Sequence, residues 1–402
     1  MSQGVDADGL ADRIQPLLQP CTAVILHSLL KWGMSKNFDV CIRGDGVVGR
    51  TLALLLARER LRVALVSRLQ QAPGELPVAD VRAYALNSAS RRLLEALRVW
   101  PDAPFATPVR EMQVWGDDGG QIDFTADSVA QDALAWIVDV PALEQQLIQA
   151  VHYQPQIELV AAPAKAALNI VCEGKKSSSR DEFGVQWTVK SYPQKAIAAR
   201  LNADLPHQGV ARQWFVNGDI VALLPLGGSN ASAVALVWSV SLERAESLEQ
   251  MPPEQFCAAL QAICGPEAGQ LQLTSERASW PLALSNADHW VGSGWALAGD
   301  AAHTVHPLSG QGLNLGLADA ACLAGVLAQR EYWRALGDEK LLRRYERARK
   351  ADVATMSAVT DGLHGLFAQP DDRWQVLRNW GMKGFARSSL LKRWVTRQAA
   401  GL

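Results

Sequence analysis

The sequence predicts an α/β fold in which a β-α-β unit is interrupted by an antiparallel β-sheet and followed by C-terminal helices. Residues 38–42 form a short apolar run, residues 47–60 carry apolar side chains at helical spacing, and residues 61–66 form a second apolar run. This order predicts two parallel strands joined by a right-handed crossover. Strand-like runs separated by Gly-rich turns dominate residues 183–240, and residues 338–402 have a mostly helical pattern.

Between these regions the same periodicities predict further elements. Helices are expected over residues 89–97, 141–151, 254–264 and from 312 onward. Strands are expected around the turn within residues 112–124, and over residues 186–189, 196–202, 211–216, 220–225, 233–241 and 295–298.

The composition is that of an ordinary globular protein. The chain has 402 residues, 49% of them hydrophobic, which suggests about two or three domains. The net charge of -2 provides no basic field, so we expect no nucleic-acid partner. The six cysteines form no CxxC pair, so we expect buried free thiols rather than disulfides or a metal site. They are Cys21, Cys41, Cys172, Cys257, Cys264 and Cys322.

The N-terminal residues have no clear place in this pattern. No apolar run approaches the length of about 18 residues that a membrane span needs, and the run from Thr22 to Leu30 is interrupted by His27. A basic segment and a small-residue cleavage site are also missing, which argues against a signal peptide. We expect Met34 to be the native start and residues 1–35 to be an extension outside the fold.

The first motif is the Gly-Asp-Gly-Val-Val-Gly sequence of residues 44–49. Gly44 allows a tight turn, Gly46 lets the backbone approach a pyrophosphate, and Gly49 lets the helix pack closely on the strand. The alternative is a plain structural turn, which explains many such matches. Here a strand precedes the motif and a helix follows it, so the context favours dinucleotide binding.

The helix start and the end of the second strand complete this motif. Val47 and Val48 open the helix, whose free N–H groups and dipole favour a bound anion. The second strand should end in Asp or Glu, which binds a ribose hydroxyl in this fold. This chain has Ser67 and Arg68 there, and Ser67 provides a weaker hydrogen bond.

The second and third motifs lie further along the chain. Residues 80–86 read Asp-Val-Arg-Ala-Tyr-Ala-Leu, in which Arg82 taken alone is best explained as a surface ion-pair residue. Gly299 and Asp300 directly follow the strand at 295–298, and a carboxylate at such a strand end lies where nucleotide sites form.

The third motif continues through a Gly-rich loop into a helix. Gly310 and Gly312 allow the backbone to approach a flat ring, and the helix points its positive end at that loop. His303 and His306 are an alternative metal pair, but no third ligand lies nearby, so we expect no metal.

These three motifs, in this order and at these separations, resemble the flavin-dependent aromatic hydroxylases of the para-hydroxybenzoate hydroxylase type. The run GDAAHTVHPLSGQGLNLGLAD (299–319) is highly specific. Together with DVRAYALNSAS (80–90), IVDVPALEQQL (137–147) and QWFVNGDIVALLPL (213–226), it resembles the ubiquinone-biosynthesis hydroxylases of the UbiH/UbiF/VisC type. The resemblance spans residues 36–400.

The resemblance implies a Rossmann-like FAD-binding domain with an inserted antiparallel β-sheet substrate domain and C-terminal helices. The implied FAD-binding domain comprises residues 36–110, 137–182 and 285–335. The β-sheet substrate domain comprises residues 111–136 and 183–284, and the C-terminal helical region comprises residues 336–402.

The family's chemistry implies an FAD-dependent monooxygenase that uses NAD(P)H as a transient reductant. In such enzymes O₂ adds at the flavin C4a atom, and the hydroperoxide hydroxylates an electron-rich ring, here a polyprenylated phenol on the way to ubiquinone. The protein supplies position, exclusion of water and electrostatics.

The implied site residues are carried over position by position. Pro307, Gly310 and Gly312 would adjoin the oxygen-reaction site. The implied FAD contacts are Gly44, Gly46, Val47, Val48, Gly49, Ser67, Arg68, Arg82, Gly299, Asp300, Pro307, Gly310, Gln311, Gly312, Leu313 and Asn314.

Some positions depart from the family's pattern. Glu173 stands where Asp is usual, the segment between Val160 and Asn169 is too short for a usual β-hairpin, and Val140 and Pro141 replace polar or basic residues. With Ser67, these departures suggest an alternative, a non-catalytic or weakly flavin-binding accessory member of the ubiquinone biosynthetic complex. A flavin reductase is a third alternative, and a halogenase is disfavoured because its WxWxIP signature is absent.

The C-terminal segment 373–397 is basic and carries tryptophans, with no acidic residue among seven basic ones. Such a helix pair suits a peripheral contact with an anionic membrane or with other ubiquinone-biosynthesis proteins. The alternative is a solvated helix that packs its apolar face on the core. We expect a cytoplasmic protein with a peripheral contact on the inner face of the membrane.

Overall fold

The computed structural model describes residues 37–67, 80–116, 120–228, 230–305 and 311–367, with side chains up to residue 356. Several sequence expectations therefore lie outside the described residues. These are the N-terminal extension, Arg68, His306, Pro307, Gly310 and the basic segment 373–397.

The strands follow one another along the whole described chain. They are β1 (Phe38–Arg43), β2 (Val63–Val66), β3 (Ala83–Leu86), β4 (Ala106–Val109), β5 (Glu111–Trp115), β6 (Gln121–Thr125), β7 (Ala135–Asp139), β8 (Ile157–Val160), β9 (Ala166–Val171), β10 (Trp187–Ala203), β11 (Val210–Val216), β12 (Asp219–Pro225), β13 (Ala233–Ser241), β14 (Leu271–Leu273), β15 (Ala278–Ala287), β16 (Val291–Gly292), β17 (Trp295–Leu297) and β18 (His303–Thr304).

The α-helices alternate with these strands and then close the described chain. They are α1 (Val47–Arg58), α2 (Ser88–Ala96), α3 (Val140–His152), α4 (Ser179–Glu182), α5 (Leu242–Gln250), α6 (Pro253–Cys264), α7 (Gly312–Ala328) and α8 (Glu339–Phe367).

A six-stranded sheet with the order β16-β17-β9-β1-β2-β8 forms the predicted nucleotide-binding unit. Strand β1 is parallel to both β2 and β9, which confirms the predicted β-α-β arrangement. The apolar face of α1 explains its position, since Leu52, Leu56 and Ala53 are buried in the core that it shares with this sheet. The strands therefore end together beside the start of α1, where open α/β sheets bind ligands.

A nine-stranded sheet with the order β18-β15-β10-β13-β12-β11-β5-β6 forms the second layer, and β14 pairs with β10. The prediction of an antiparallel sheet holds except at one pair, because β5 and β11 are parallel. No hairpin joins these two strands, since β5 comes from the segment after β4, so no turn forces them to be antiparallel. Helices α5 and α6 cover one face of this sheet through a separate apolar core.

Strand β10 is continuous where the sequence pattern predicts two strands, at 186–189 and 196–202. Both parts pair with β15, and the register shifts between Ser191 and Lys195. This irregularity contains Pro193, which has no N–H to donate to the ladder. A bulge at the proline therefore lets one long strand pair with β15 on both sides of the irregularity.

A three-stranded antiparallel sheet with the order β3-β7-β4 lies between the two larger sheets. Its Val109 and Ile137 share an apolar cluster with Ala211 and Ala235 of the nine-stranded sheet. The preceding segment 80–82 is thereby held between the nucleotide-binding unit and the larger β-sheet. Across the described ranges, no helix combines the length and the apolar character that a bilayer span requires.

The described cysteines are free thiols, and they differ in burial. Cys264 is fully buried, and burial raises the pKa of its thiol to about 12. Cys257, on the same helix, is partly exposed. We expect iodoacetamide at pH 8 to label Cys257 long before Cys264, because the thiolate is the reactive form and Cys264 is also inaccessible. Peptide mass spectrometry measures both rates, which should become equal in urea; equal rates in the native protein would contradict the expectation.

Candidate functional site

The Gly-rich turn between β1 and α1 requires two of its glycines for steric reasons. Gly44 has φ +110°, and a Cβ there would lie 2.5 Å from the Cys172 carbonyl oxygen. A Cβ at Gly49 would lie 1.9 Å from the Gly44 oxygen. A Cβ at Gly46 would instead meet no atom within 4 Å. The backbone at Gly46 is therefore open on the side from which an extended ligand could approach.

The start of α1 completes this opening. Gly46 is the N-cap of α1 and provides no side-chain hydrogen bond to the first turn. The N–H groups of the first turn, at Val47 and Val48, have no acceptor within the helix itself, and they carry the positive end of the helix dipole. The turn therefore has the donors and the space that a pyrophosphate needs.

Val48 also brings the first and third motifs into contact. A Cβ at Gly299 would lie 3.3 Å from Val48 Cγ2, and a Cβ at Gly316 would lie 2.7 Å from the same atom. Gly299 adopts φ +63°, so it directs the chain sharply away from β17. Because only glycines leave room for the valine, the start of α1 packs directly on the 299 turn and on α7.

Asp300 follows this turn and is mostly buried. Among the described residues, no donor hydrogen bonds to its carboxylate, although the charges of Lys175 and Arg82 lie close enough to affect it. Burial raises the pKa of the Asp300 carboxyl, while those two cations act in the opposite direction. A largely buried acceptor to which none of the described residues donates is suited to receive hydroxyl groups of a ligand.

Arg82 lies near Asp300 and makes the ion pair that the sequence suggested. Its Nε donates to Asp80 Oδ1 at 2.8 Å, and its Nη1 lies 3.4 Å from the Tyr84 hydroxyl. The Asp80 carboxylate raises the pKa of Arg82, so the guanidinium stays charged. The side chain is 44% exposed, so it also has donors available to an anionic or polar ligand.

Asn314 joins the start of α7 to the second motif through side-chain hydrogen bonds. Its Nδ2 donates to the Ala85 oxygen at 2.8 Å, and its Oδ1 accepts from the Asn87 N–H at 3.0 Å and from Ser90 Oγ at 2.7 Å. Gln311 is the buried N-cap residue of this helix. Both polar atoms of the Asn314 side chain are engaged in these hydrogen bonds. The backbone of Gly312, Leu313 and Asn314 is therefore the part of this turn available to a ligand.

Three buried side chains behind this loop form an ion network that sequence reasoning missed. His303 Nε2 lies 2.7 Å from Asp319 Oδ2, and Arg349 Nε donates to Asp319 Oδ1 at 2.7 Å. The Gly299 N–H also donates to Asp319 at 2.9 Å. The network therefore ties α7 and α8 to the turn that presents Asp300, and its role is to hold that turn in place.

Glu173 anchors the segment after β9. Its carboxylate accepts from Ser177 Oγ at 2.7 Å and from Ser179 Oγ at 2.9 Å, as well as from the Ser179 N–H. Burial alone would raise its pKa, but these hydrogen bonds and the charge of Arg43 lower the pKa of Glu173 overall. The longer glutamate side chain is thus used to close the turn at 173–179.

Replacing Glu173 by Asp is expected to lower the free energy of unfolding by about 1 kcal/mol, because the shorter arm loses one of its charged hydrogen bonds. Since the folded pKa is depressed, the contribution is complete above the unfolded pKa of about 4.3 and is lost as the pH falls through the folded value. Urea unfolding at pH 7 and pH 3 measures the difference. Glu182→Asp, at an exposed carboxylate that pairs with Arg43, is the control; an equal loss in both variants would contradict the assignment.

A second missed contact links the nine-stranded sheet to the second motif. Arg200 on β10 forms an ion pair with Asp139 at 2.5 Å, and it donates to the backbone carbonyl oxygen of Asp80 at 3.3 Å. Arg200 therefore fixes the segment that carries Arg82 against the β-sheet. In the part of the chain that the structure describes, no group of His, Cys, Asp and Glu is arranged to hold a metal ion.

Ser67 lies at the end of β2, beside the Gly-rich turn. Its backbone N–H donates to the Val160 oxygen at 3.0 Å, and its Oγ donates to Asp45 Oδ2 at 2.6 Å. The described residues thus present an open backbone at Gly46, the Ser67 hydroxyl beside it, and the Asp300 carboxylate, to which none of them donates. This donor and acceptor set fits FAD.

The comparisons with known proteins agree with this fit. A family model described as an FAD binding domain matches residues 160–360. Ubiquinone hydroxylase UbiL of Rhodospirillum rubrum is 30% identical over 397 residues, which cover 91% of this chain and 90% of that protein. The 3-demethoxyubiquinol 3-hydroxylase of Escherichia coli is 30% identical over 389 residues, which cover 90% of this chain and 98% of that protein.

Solved structures show the same fold at lower identity. PqsL of Pseudomonas aeruginosa, solved in complex with 2-aminobenzoylacetate, has a TM-score of 0.73 at 22% identity and covers 87% of this chain and 100% of its own. The p-nitrophenol 4-monooxygenase PnpA of Pseudomonas putida has a TM-score of 0.71 at 16% identity and covers 90% of this chain and 98% of its own.

Proposed function

This chain belongs to the family of FAD-dependent hydroxylases, and from that membership we propose that it hydroxylates the aromatic ring of a polyprenylated phenol in ubiquinone biosynthesis. The observation that carries the proposal is the convergence of three motifs on one site. The opening at Gly46 adjoins Asp300 and the start of α7 through the packing of Val48 on Gly299 and Gly316. Asn314 joins the start of α7 to the second motif through hydrogen bonds to Ala85 and Asn87.

We assign the cofactor contacts to the residues that the sequence singled out. Gly44, Gly46 and Gly49 with the N–H groups of Val47 and Val48 would receive the pyrophosphate, and Asp300 after Gly299 would receive ribityl hydroxyls. Ser67, Arg68 and Arg82 would contact the polar parts, and Pro307, Gly310, Gln311, Gly312, Leu313 and Asn314 would surround the ring. Bound FAD supplies redox chemistry, taking electrons from NAD(P)H and using O₂ as the oxygen source.

The remaining residues position the site and exclude water. The Asp319 network would hold the 299 turn, and the positive end of α7 would favour negative charge that develops at the nearby ring. Pro307, Gly310 and Gly312 would shape the place where O₂ reacts, with no side-chain acid or base required there.

The face of the nine-stranded sheet that is turned toward the three-stranded sheet supports an aromatic substrate. Ala222 and Val237 face each other across β12 and β13 and stay partly exposed, although both strands are central. Ala235, on the same face, clusters with Ile137 of the three-stranded sheet. Partly exposed apolar side chains at these positions suit contact with a flat ring and a prenyl tail.

We also propose where the protein works and what it meets. A cytoplasmic location with a peripheral contact on the inner face of the membrane would bring it to a prenylated substrate. The basic, tryptophan-bearing segment 373–397 supports this proposal, as it would support a contact with other ubiquinone-biosynthesis proteins. Sedimentation with anionic liposomes tests it, and a chain that stays in the supernatant would contradict membrane contact.

A non-catalytic accessory role is the second candidate, and Ser67 in place of a ribose-binding acid is the observation that favours it. One experiment separates the two. The purified chain is incubated with FAD, NADH or NADPH, ¹⁸O₂ and a short prenylphenol, and the product is analysed by mass spectrometry. A hydroxylase incorporates one ¹⁸O atom into the ring, whereas a folded, colourless protein that takes up no FAD would support the accessory role.

A strain that lacks the gene distinguishes the hydroxylase from the accessory role in the cell. Loss of the gene is expected to cause accumulation of a quinone precursor that lacks one ring hydroxyl. The wild-type gene should restore the quinone and a Gly46→Val variant should not. Full rescue by that variant would favour the accessory role.

A further inference from the structure

Asp45 lies between Gly44 and Gly46, in the turn that follows β1. Its carboxylate Oδ2 accepts from Ser67 Oγ at 2.6 Å and from Arg50 Nη2 at 3.1 Å. We propose that Asp45 supplies, from the Gly-rich turn, the carboxylate that receives the adenosine ribose hydroxyl of FAD. This fold ordinarily places that acid at the end of the second strand, the position that Ser67 holds here. The inference rests on the proposed function, since it assigns a contact within the same FAD site.

The sheet register explains how a residue of the turn reaches that place. Strands β1 and β2 are parallel neighbours, with Arg43 opposite Val66 at their carboxyl ends. Ser67 follows β2 directly and Asp45 follows β1 after Gly44, so both lie at the same edge of the sheet. The 2.6 Å hydrogen bond between them shows that the Asp45 carboxylate lies at the end of β2.

The free oxygen of Asp45 has the chemistry that a ribose hydroxyl requires. Both contacts go to Oδ2, and no described residue donates to Oδ1. The side chain is 29% exposed, so a ligand can reach it from solvent. A carboxylate only accepts hydrogen bonds, and a ribose hydroxyl is a donor of the matching kind.

Arg50 compensates for the negative charge of Asp45, which would otherwise repel a pyrophosphate bound at the same turn. Its guanidinium lies 3.1 Å from Asp45, and its side chain is only 15% exposed. The ion pair offsets the carboxylate charge while Ser67 fixes its orientation. Ser67, Asp45 and Arg50 therefore act together as a relocated ribose site.

The test compares FAD with an FAD analogue that carries 2′-deoxyadenosine. Both are titrated calorimetrically into the full chain freed of flavin. Wild-type protein is expected to prefer FAD by about tenfold or more, the range of one hydrogen bond to a charged group. Asp45→Asn, which keeps the shape but removes the charge, should weaken FAD binding by a similar factor and reduce the preference.

A swap variant and a control complete the experiment. Asp45→Gly combined with Ser67→Glu returns the acid to the end of β2 and should restore both the affinity and the preference. Asp39→Asn, at a partly exposed carboxylate that accepts from the Arg62 N–H before the turn, should change neither. Thermal unfolding of each flavin-free variant confirms that it is folded.

The outcomes distinguish the two proposals. A wild-type chain that binds FAD but does not discriminate against the deoxy analogue, or an Asp45→Asn variant that keeps full discrimination, overturns the ribose assignment alone. A wild-type chain that binds no FAD overturns the proposed function together with it.

Discussion

A Gly46→Val substitution is expected to leave the flavin-free protein folded and to weaken FAD binding by on the order of a hundredfold or more. The fold tolerates the side chain because a Cβ at this position meets no protein atom within 4 Å, and Gly46 has an ordinary φ of -71°. The space that the valine fills is the approach to the first-turn N–H groups of α1. A pyrophosphate held there would lose charged hydrogen bonds, each of them worth about 1.5–3 kcal/mol.

Gly49→Ala is the matched control for this prediction. The added Cβ would lie 1.9 Å from the Gly44 oxygen, so this variant should lose about 3 kcal/mol of stability whether or not FAD is present. Gly46→Val should change stability by no more than about 1 kcal/mol. Urea unfolding and quenching of flavin fluorescence separate the two effects. Retention of FAD by the Gly46→Val variant would contradict the assignment of the pyrophosphate to this turn.

The second large effect is expected at Asp319. Asp319→Ala should lower the free energy of unfolding by about 3–5 kcal/mol, because it leaves His303 and Arg349 without their buried acceptor. His303 and Arg349 are 3% and 5% exposed, so bulk solvent does not solvate them in place of the carboxylate. The Gly299 N–H loses its acceptor in the same variant, so we also expect weaker FAD retention.

The pH dependence of stability follows from the same network. Burial alone would raise the pKa of Asp319, but the neighbouring His303 and Arg349 outweigh it and lower the pKa. A depressed folded pKa stabilises the protein fully above the unfolded value of about 3.9, and this contribution is lost as the pH falls through the folded value. Wild-type stability should therefore fall more steeply below pH 4 than that of Asp319→Ala.

Asp352→Asn is the control for the buried network. Asp352 also pairs with Arg349 but is 64% exposed, so its loss should cost no more than about 1 kcal/mol. Chemical unfolding between pH 3 and pH 7 measures all three proteins. Equal destabilisation by Asp319→Ala and Asp352→Asn would show that burial of the network does not matter.

Local geometry explains why the nucleotide-binding unit could be predicted from the sequence. The turn at 44–49 needs glycine where φ is positive or where backbone atoms approach, and such needs appear directly as residue types. The helix starting at Val47 and the helix starting at Gly312 were likewise predicted from periodicity and confirmed. The division into domains and the roles of the site residues stay predictions.

Elements that depend on distant partners were not predictable in the same way. Strand β3 is four residues long and exists because it pairs with β7, which follows some fifty residues later. Periodicity over four residues cannot distinguish such a strand from a loop. The parallel pairing of β5 with β11 has the same origin, since no local turn encodes it.

Side-chain contacts within the site also depend on distant partners and were not predictable from the sequence. The sequence identified Ser67 as a missing acid but gave no sign that Asp45 would bond to it. His303 was considered as half of a metal pair, whereas the structure gives it Asp319 as a partner. Glu173 was interpreted as a weakening departure, yet its longer side chain bonds to Ser177 and Ser179. In each case the partner is set by the three-dimensional packing and not by spacing along the chain.

The contact of Val48 with Gly299 and Gly316 has a consequence for biosynthesis. A ribosome releases the Gly-rich turn early, but the two glycines that receive Val48 emerge only after most of the chain has been made. The first β-α-β unit therefore cannot reach its final packing on the nascent chain until the segment around residue 316 has left the exit tunnel. Cofactor capture at this turn would then have to wait until most of the chain has been made, and a chain truncated before residue 316 would be released without it.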